Sequence, residues 1–379
     1  MTTILPGATI GFLGGGQLAR MSALAARSMG YNVHVLDPDP DCPAAPVASH
    51  VVTAKYDDVD AATAFARTCD VITLDIEQVS TTSIAAASLH APVFPGAATI
   101  HVIQDRGRQK EWLRQHQFPV APFRIAHTPH EVALAFDTLG RSIAKTTSGG
   151  YDGRGQARIR SVNDLPAASA LTESATVVVE QWVELAGELS VMVARSVHGE
   201  VTTFPVSWNH HDNGVLTWAM TPAPISESTA KAATELAAAI ADALQIVGLL
   251  AVELFVTSDD TLMVNELAPR PHNTFHATER ACVTSQFEQQ VRAVCGLPLG
   301  STALLSAGAI VNLLGELWRS EQEAPDWERA LTVPGVRLHL YGKKIAKPGR
   351  KMGHLSAVAP TPEAARDAVL DAYARLLPR

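Results

Sequence analysis

The sequence predicts an α/β protein that opens with a parallel, doubly wound sheet. Three observations predict it. Thr9-Ile10-Gly11-Phe12-Leu13 is a short apolar strand running into the turn Gly14-Gly15-Gly16-Gln17-Leu18-Ala19, and residues 20–29 follow with helical composition. Strand-like and helix-like stretches then alternate as far as Val93-Phe94, the pattern that builds a parallel sheet. Farther on, two long apolar runs (248–256 and 262–267) flank the turn Ser258-Asp259-Asp260 and read as a hairpin.

Composition narrows the function. At 379 residues and 47% hydrophobic, the chain has material for a large core, and usual domain sizes give roughly two or three domains. A net charge of −8 argues against non-specific binding to nucleic acid or to an anionic membrane, so an anionic substrate would need a local basic pocket. Cys42, Cys69, Cys282 and Cys295 show neither a paired framework nor metal-ligand spacing, which fits a reducing compartment. The N-terminus lacks the pattern of a signal peptide, and the apolar stretch 237–256 is broken by Asp242, Gln245 and Glu253. The expected location is the cytoplasm, with no membrane partner.

In the N-terminal stretch, the glycine turn matches the dinucleotide pattern, and Asp37 closes the next strand (33–36) where a ribose-binding acid would stand. A glycine turn that opens a helix binds any phosphate through its exposed N–H groups, so the motif does not single out a nicotinamide cofactor. The alternation continues through strand 51–53, helix 59–67, strand 71–74 and helix 83–89. Asp75-Ile76-Glu77-Gln78 falls at the carboxyl end of its strand, where ligands of such sheets gather, although a solvated loop would look the same.

Residues 104–115 read as a charged helix, 123–126 as a strand and 129–139 as a helix. Lys145 then ends a strand and precedes Ser148-Gly149-Gly150-Tyr151-Asp152-Gly153-Arg154-Gly155-Gln156, with 157–160 as the return strand. Glycine permits close backbone approach, so this hairpin is a candidate lid over phosphates with Lys145 as the charge that meets them; a plain hairpin tip is the alternative. Val177-Val178-Val179 empties into Glu180, Gln181, Trp182 and Val183, a place for a nucleobase edge. Glu188 opens an antiparallel pair (189–195 with 201–206), and 208–214 reads as a polar loop that includes His211.

The hairpin of the third observation carries one carboxylate per strand, Glu253 and Glu266, with Asn265 alongside. Two carboxylates among apolar flanks need compensation, and a divalent cation with hard oxygen ligands is the usual form, which implies Mg2+. Arg270, His272 and Asn273 follow directly and suit an anion.

These residues together resemble the ATP-grasp superfamily. Gly149 to Gln156, Asn265 to Asn273, Ser285-Gln286-Phe287-Glu288 and Lys347-Pro348-Gly349-Arg350-Lys351-Met352-Gly353-His354 closely resemble its 5-(carboxyamino)imidazole ribonucleotide synthase family, over nearly the whole chain. The resemblance implies a doubly wound domain (1–103), a lid-bearing ATP-grasp subdomain (104–182), a metal-holding subdomain (183–300) and a small C-terminal α+β domain (301–379). It implies a ligase of purine biosynthesis that uses ATP, Mg2+ as a pair of ions and bicarbonate, without biotin, to carboxylate 5-aminoimidazole ribonucleotide through carboxyphosphate. Carried over by position, ATP would meet Arg106, Lys145, Gly150, Tyr151, Asp152, Gly153, Arg154, Gly155, Gln156, Glu180, Gln181, Trp182, Val183, Glu188, His211, Asn265 and Glu266. Glu253 and Glu266 would hold the metals. Arg270, His272, Asn273, Asp152 and Arg154 would serve the chemistry. Gly15, Gly16, Gln17, Leu18, Asp75, Glu77, Tyr151, Lys344, Arg350 and Lys351 would face the ribonucleotide. A homodimer is expected on the same ground.

The chain departs from the family pattern at Asp75-Ile76-Glu77-Gln78, where Glu-x-Glu-Asn is usual, at Thr274-Phe275, where Ser-Gly is usual, and more mildly at Ala19, where the turn often has Gly. Three other readings stay open at this point: an ATP-grasp ligase with another acceptor, an NAD-dependent oxidoreductase resting on 14–19 and Asp37, and a non-catalytic relative.

Overall fold

The computed structural model describes residues 2–149, 155–212, 214–320 and 323–377. Strands β1 (Thr9–Leu13), β2 (Asn32–Asp37), β3 (His50–Thr53), β4 (Val71–Leu74) and β5 (Val93–Phe94) form a parallel sheet in the order β3-β2-β1-β4-β5. The order reverses at β1, so a crevice opens beyond the carboxyl ends of β1 and β4. β4 is buried at every position because helices cover both faces, which is why Val71-Ile72-Thr73-Leu74 reads as a continuous apolar run.

Strands β6 (Phe123–Ala126), β7 (Ser142–Thr146), β8 (Gln156–Ile159) and β9 (Val177–Gln181) form an antiparallel sheet in the order β6-β9-β7-β8. The glycine-rich segment joins β7 to β8, and its described ends, Gly149 (φ +74°) and Gly155 (φ +68°), hold left-handed conformations that favour glycine.

The remaining strands make a nine-stranded sheet. They are β10 (Gly187–Arg195), β11 (Val201–Thr203), β12 (Ser207–Asp212), β13 (Val215–Thr221), β14 (Gly248–Val256), β15 (Leu262–Ala268), β16 (Ala307–Leu314), β17 (Arg337–Leu340) and β18 (Lys351–Ala359). Its order is β15-β14-β10-β12-β13-β16-β18-β17, with β11 paired to β10. β16 pairs directly with β13, so the sheet is continuous from the carboxylate hairpin to the C-terminal strands. The helix Gln286–Cys295 bridges this sheet to the N-terminal one. Its Val291, Val294 and Cys295 enter the core around β1 and β2, while Gln290 donates to the Thr73 hydroxyl (2.6 Å) and accepts from the Leu249 amide (2.8 Å).

Two local expectations are corrected. The helix after the glycine turn begins at Gln17 rather than residue 20, because the turn itself presents the first helical amides. The expected polar loop 208–214 is largely strand β12: its backbone pairs with β13, a bulge falls between His210 and His211, and the His210 ring stacks on Trp218 at 5.0 Å. Phe275, bulky where a glycine is usual, is fully buried and packs against Phe204 with ring centroids 6.2 Å apart.

Candidate active site

A cleft of about 1130 Å³ lies where the three sheets meet. The N-terminal sheet contributes the glycine turn, Asp75 and Glu77; the lid sheet contributes Lys145, Gln156 and residues 180–183; the large sheet contributes Glu188, His211, Glu253, Asn265 and Glu266. The segment after β15 adds Arg270, His272 and Asn273, the loop before β18 adds Arg350, and β18 adds its first residue, Lys351. Of the expected residues, Gly150, Tyr151, Asp152, Gly153 and Arg154 lie outside the described residues. Gly15 and Lys344 do not line the cleft.

The glycine turn is organised by two carboxylates. Asp37 accepts from the Gly15 amide (2.7 Å) and the Tyr56 hydroxyl (2.8 Å) through one oxygen, and from the Asp39 amide (2.8 Å) through the other. Three of the carboxylate's roughly four acceptor sites are thus taken from within, which weakens the reading of Asp37 as a ribose partner. Asp75 accepts from the Gly16 amide (2.9 Å) and the Ala19 amide (2.5 Å). A Cβ at position 16 would stand 2.3 Å from the Asp75 carboxylate, so glycine is required there. The amides of Gln17 and Leu18 have no hydrogen-bond acceptor among the described residues and open a 12-residue helix beside the cleft. They are the anion-binding part of the turn.

At the other wall, Val183 has neither its amide nor its carbonyl hydrogen-bonded among the described residues, whereas the Gln181 and Trp182 amides are taken by Pro122 and Arg141 carbonyls (2.8 Å each). Val183 therefore offers the donor–acceptor pair that a base edge needs. Glu180 is buried, with its two oxygens 3.2 Å from Lys145 Nζ and 3.3 Å from Lys110 Nζ. Burial alone would raise its pKa; the two lysines outweigh it and hold the carboxyl to about 2. Glu188 lies 3.1 Å from His211 Nδ1; burial lowers the His211 pKa, but Glu188 more than offsets this and raises it.

Glu253 and Glu266 are direct cross-strand partners. Like charges placed this way repel, and each is met by a cationic or polar neighbour. Glu266 accepts from Arg106 Nη2 at 3.1 Å. Glu253 lies 3.2 Å from His272 Nε2; burial opposes ionisation, yet His272, His211 and Lys351 prevail and hold the carboxyl to about 2. Asn265 Oδ1 is buried with no hydrogen-bond partner among the described residues. Two carboxylates and an unsatisfied amide oxygen are a hard-donor set that fits Mg2+. Among the described residues no group of three His, Cys, Asp or Glu side chains forms a metal site, so protein ligands alone do not complete a shell. Such an open set is the form in which Mg2+ is usually shared with nucleotide phosphates.

Arg270 donates to Glu77 at 2.8 Å, so the N-terminal sheet aims a guanidinium of the large sheet. Gln286 clamps the His272 backbone, accepting from its amide (2.8 Å) and donating to its carbonyl (3.0 Å). Asn273 donates to Asn312 Oδ1 (2.9 Å), and its own Oδ1 is buried without a partner among the described residues.

Sequence reasoning missed Lys343. It lines the cleft and donates to the Lys351 carbonyl (2.7 Å), whereas Lys344 is exposed and bonds Asp41 at 2.6 Å. Both lysines lie in the loop between β17 and β18, so no strand alternation marks which of them faces the cleft. Lys110 was also missed, as a charge on a helix that reads as solvated.

Comparison with known proteins bears on the whole chain. Residues 7–104 match the ribonucleotide synthetase preATP-grasp domain, 111–287 the ATP-grasp domain, and 308–368 the phosphoribosylaminoimidazole carboxylase C-terminal domain. The N5-carboxyaminoimidazole ribonucleotide synthase of Bacillus subtilis is 43% identical over 354 residues, 93% of this chain and 92% of that one. A crystal structure of an N5-carboxyaminoimidazole ribonucleotide synthetase in its ADP complex superposes with a TM-score of 0.92 at 42% identity, covering 98% of each chain. The Aspergillus clavatus synthase, crystallised with ADP and 5-aminoimidazole ribonucleotide, superposes with a TM-score of 0.90 at 32% identity, covering 97% of this chain and 98% of that one.

Proposed function

Because the chain belongs to the N5-carboxyaminoimidazole ribonucleotide synthase family of ATP-grasp enzymes, and so converts 5-aminoimidazole ribonucleotide to its N5-carboxy form with ATP in purine biosynthesis, we propose the following division of labour among its residues. The observation that carries it is one cleft with a hard-donor hairpin at its centre, lysine-bearing lid strands on one side and two unsatisfied helix amides on the other.

ATP lies between the lid sheet and the hairpin. Val183 pairs with the adenine edge, Lys145 and Arg106 meet the phosphates, and Glu188 and His211 face the ribose. Glu253, Glu266 and Asn265 would hold Mg2+, which when bound neutralises charge on the transferring phosphoryl group. Bicarbonate is the acceptor: its oxygen attacks the γ-phosphorus, ADP leaves, and carboxyphosphate forms. Arg270, aimed by Glu77, and Asn273 orient the bicarbonate, and His272 stands beside Glu253. The exocyclic amine of the ribonucleotide then takes the carboxyl group, phosphate leaves with the electron pair, and the amine loses a proton. Gln17 and Leu18 amides, Lys343 and Arg350 bind the 5′-phosphate, giving an acidic protein its local basic pocket. Tyr151, Asp152 and Arg154 serve the ribonucleotide from the lid. We take the four units 1–103, 104–182, 183–300 and 301–379 as the working division, a cytoplasmic setting and a homodimer as the working form.

ADP release with ATP, bicarbonate and 5-aminoimidazole ribonucleotide, each omitted in turn, tests the scheme. ADP formation indifferent to bicarbonate or to the ribonucleotide overturns it.

A further inference from the structure

The helix Arg106–Gln115 carries charge along its length, yet Lys110 on it is wholly inaccessible. An ammonium leaves water only where interior partners offset the loss. Its Nζ lies 3.3 Å from Glu180 and donates to the Val264 carbonyl at 3.3 Å, so one side chain ties the helix to β9 and β15. Lys145 sits 3.2 Å from the other Glu180 oxygen. Lys145 and Glu180 line the cleft and Lys110 does not.

Charge decides what this cluster presents to a ligand. Lys145 and Glu180 alone make a neutral pair, a poor partner for polyphosphate. Arg106, one turn before Lys110, is already matched by Glu266 at 3.1 Å. With Lys110 included, two ammoniums face one carboxylate, and the net charge is +1 (2 − 1). We propose that Lys110 is a positioning residue of the nucleotide site: it balances Glu180 from behind, so that Lys145 meets the ATP phosphates as an uncompensated cation at a set place on β7. Burial pushes Lys110 below the ordinary lysine range while Glu180, opposing, favours its charged form; Lys145 and Arg106 add like charge nearby.

This rests on ATP occupying the cleft as proposed above. The test is Lys110→Met, read by titration calorimetry with a non-hydrolysable ATP analogue plus Mg2+ and, separately, with adenosine. The expected result is analogue binding weaker by about tenfold or more with adenosine changed less than about twofold, the loss of roughly one charge-assisted contact. Lys110→Met with Glu180→Gln frees Lys145 again and recovers most of the analogue affinity, and Lys110→Arg keeps it. Equal weakening of both ligands, or no recovery in the double variant, overturns the proposal, because a merely structural lysine would give those results. If Lys110→Met does not fold, Lys110→Gln, which keeps a donor for the Val264 carbonyl without the charge, replaces it, and an analogue affinity within about twofold of wild type overturns the proposal. Wild-type protein that binds neither ligand defeats the nucleotide reading itself.

Discussion

Acidification between pH 6.5 and 5.5 should destabilise this protein through two buried imidazoles. His276 and His354 are fully buried, their rings 4.7 Å apart, and His354 stacks on His339 at 4.5 Å. His276 Nδ1 meets the Gln286 side-chain amide nitrogen at 3.0 Å and His354 Nδ1 meets the Tyr341 hydroxyl at 2.8 Å, while both Nε2 atoms lack hydrogen-bond partners among the described residues. Burial, and the neighbouring positive and imidazole groups, push both pKa values well below the ordinary histidine value. The folded state therefore keeps them neutral, whereas the unfolded chain binds protons as pH falls through about 6.5. Stability from these groups is fully present above that value and is lost as pH drops below it. With the folded pKa values below the window, each group contributes a loss of about 1 kcal/mol between pH 6.5 and 5.5, about 2 kcal/mol together. Glu180 and Glu253, held to about 2, lose their contributions only at more acid pH. His211, raised, acts above the window. Urea unfolding at a series of pH values, on wild type and on His354→Leu, measures the effect. The variant should lose about 1 kcal/mol over the same interval, and equal pH slopes in the two proteins would refute the reasoning.

Other outcomes follow from the same geometry. Glu266→Ala should lower ADP release by a hundredfold or more, since a charge-neutralising metal leaves the transition state; near-normal turnover would remove Glu266 from that role. Phe275→Ala should cost about 3–5 kcal/mol in denaturant unfolding, for a fully buried ring that also contacts Phe204, and a change below about 1 kcal/mol would mean the site collapses around the void. Lys343→Ala should raise the KM for the ribonucleotide by about tenfold or more, while Lys344→Ala, whose ammonium is bonded to Asp41 outside the cleft, should change it by less than about threefold. The reverse order would exchange the two assignments.

What could be read from the chain and what could not separate along physical lines. Periodic features were legible: the β/α alternation through Phe94, and the hairpin whose turn at Ser258-Asp259-Asp260 brings Glu253 opposite Glu266. Both depend on local pattern. Partnerships made between separate elements, tens of residues apart, were not. Lys110 reads as one more charge on a polar helix, because the carboxylate that draws it inward, Glu180, lies on another sheet. Asp37 reads as a ribose ligand until the Gly15 amide and the Tyr56 hydroxyl are seen to share one of its oxygens. Asp75, one methylene shorter than the usual glutamate, meets the turn amides of Gly16 and Ala19 directly, a fit that only the approach of β4 to β1 reveals. Phe275 looks intrusive in sequence and is accommodated because β11 delivers the chain to Phe204 on the same side of the sheet.

The pairing of β13 with β16 carries a consequence for how this chain can vary. Severing the polypeptide before Ala307 would not release a passenger; it would strip β13 of its neighbour, leave unpaired amides and carbonyls along Trp218–Thr221, and uncover Ala219 and Met220, which are buried in the intact chain. An open edge of that kind recruits strands from other molecules. The C-terminal residues thus act as a solubility seal for the catalytic sheet, so truncation or splitting at this point selects for aggregation well before it tests catalysis.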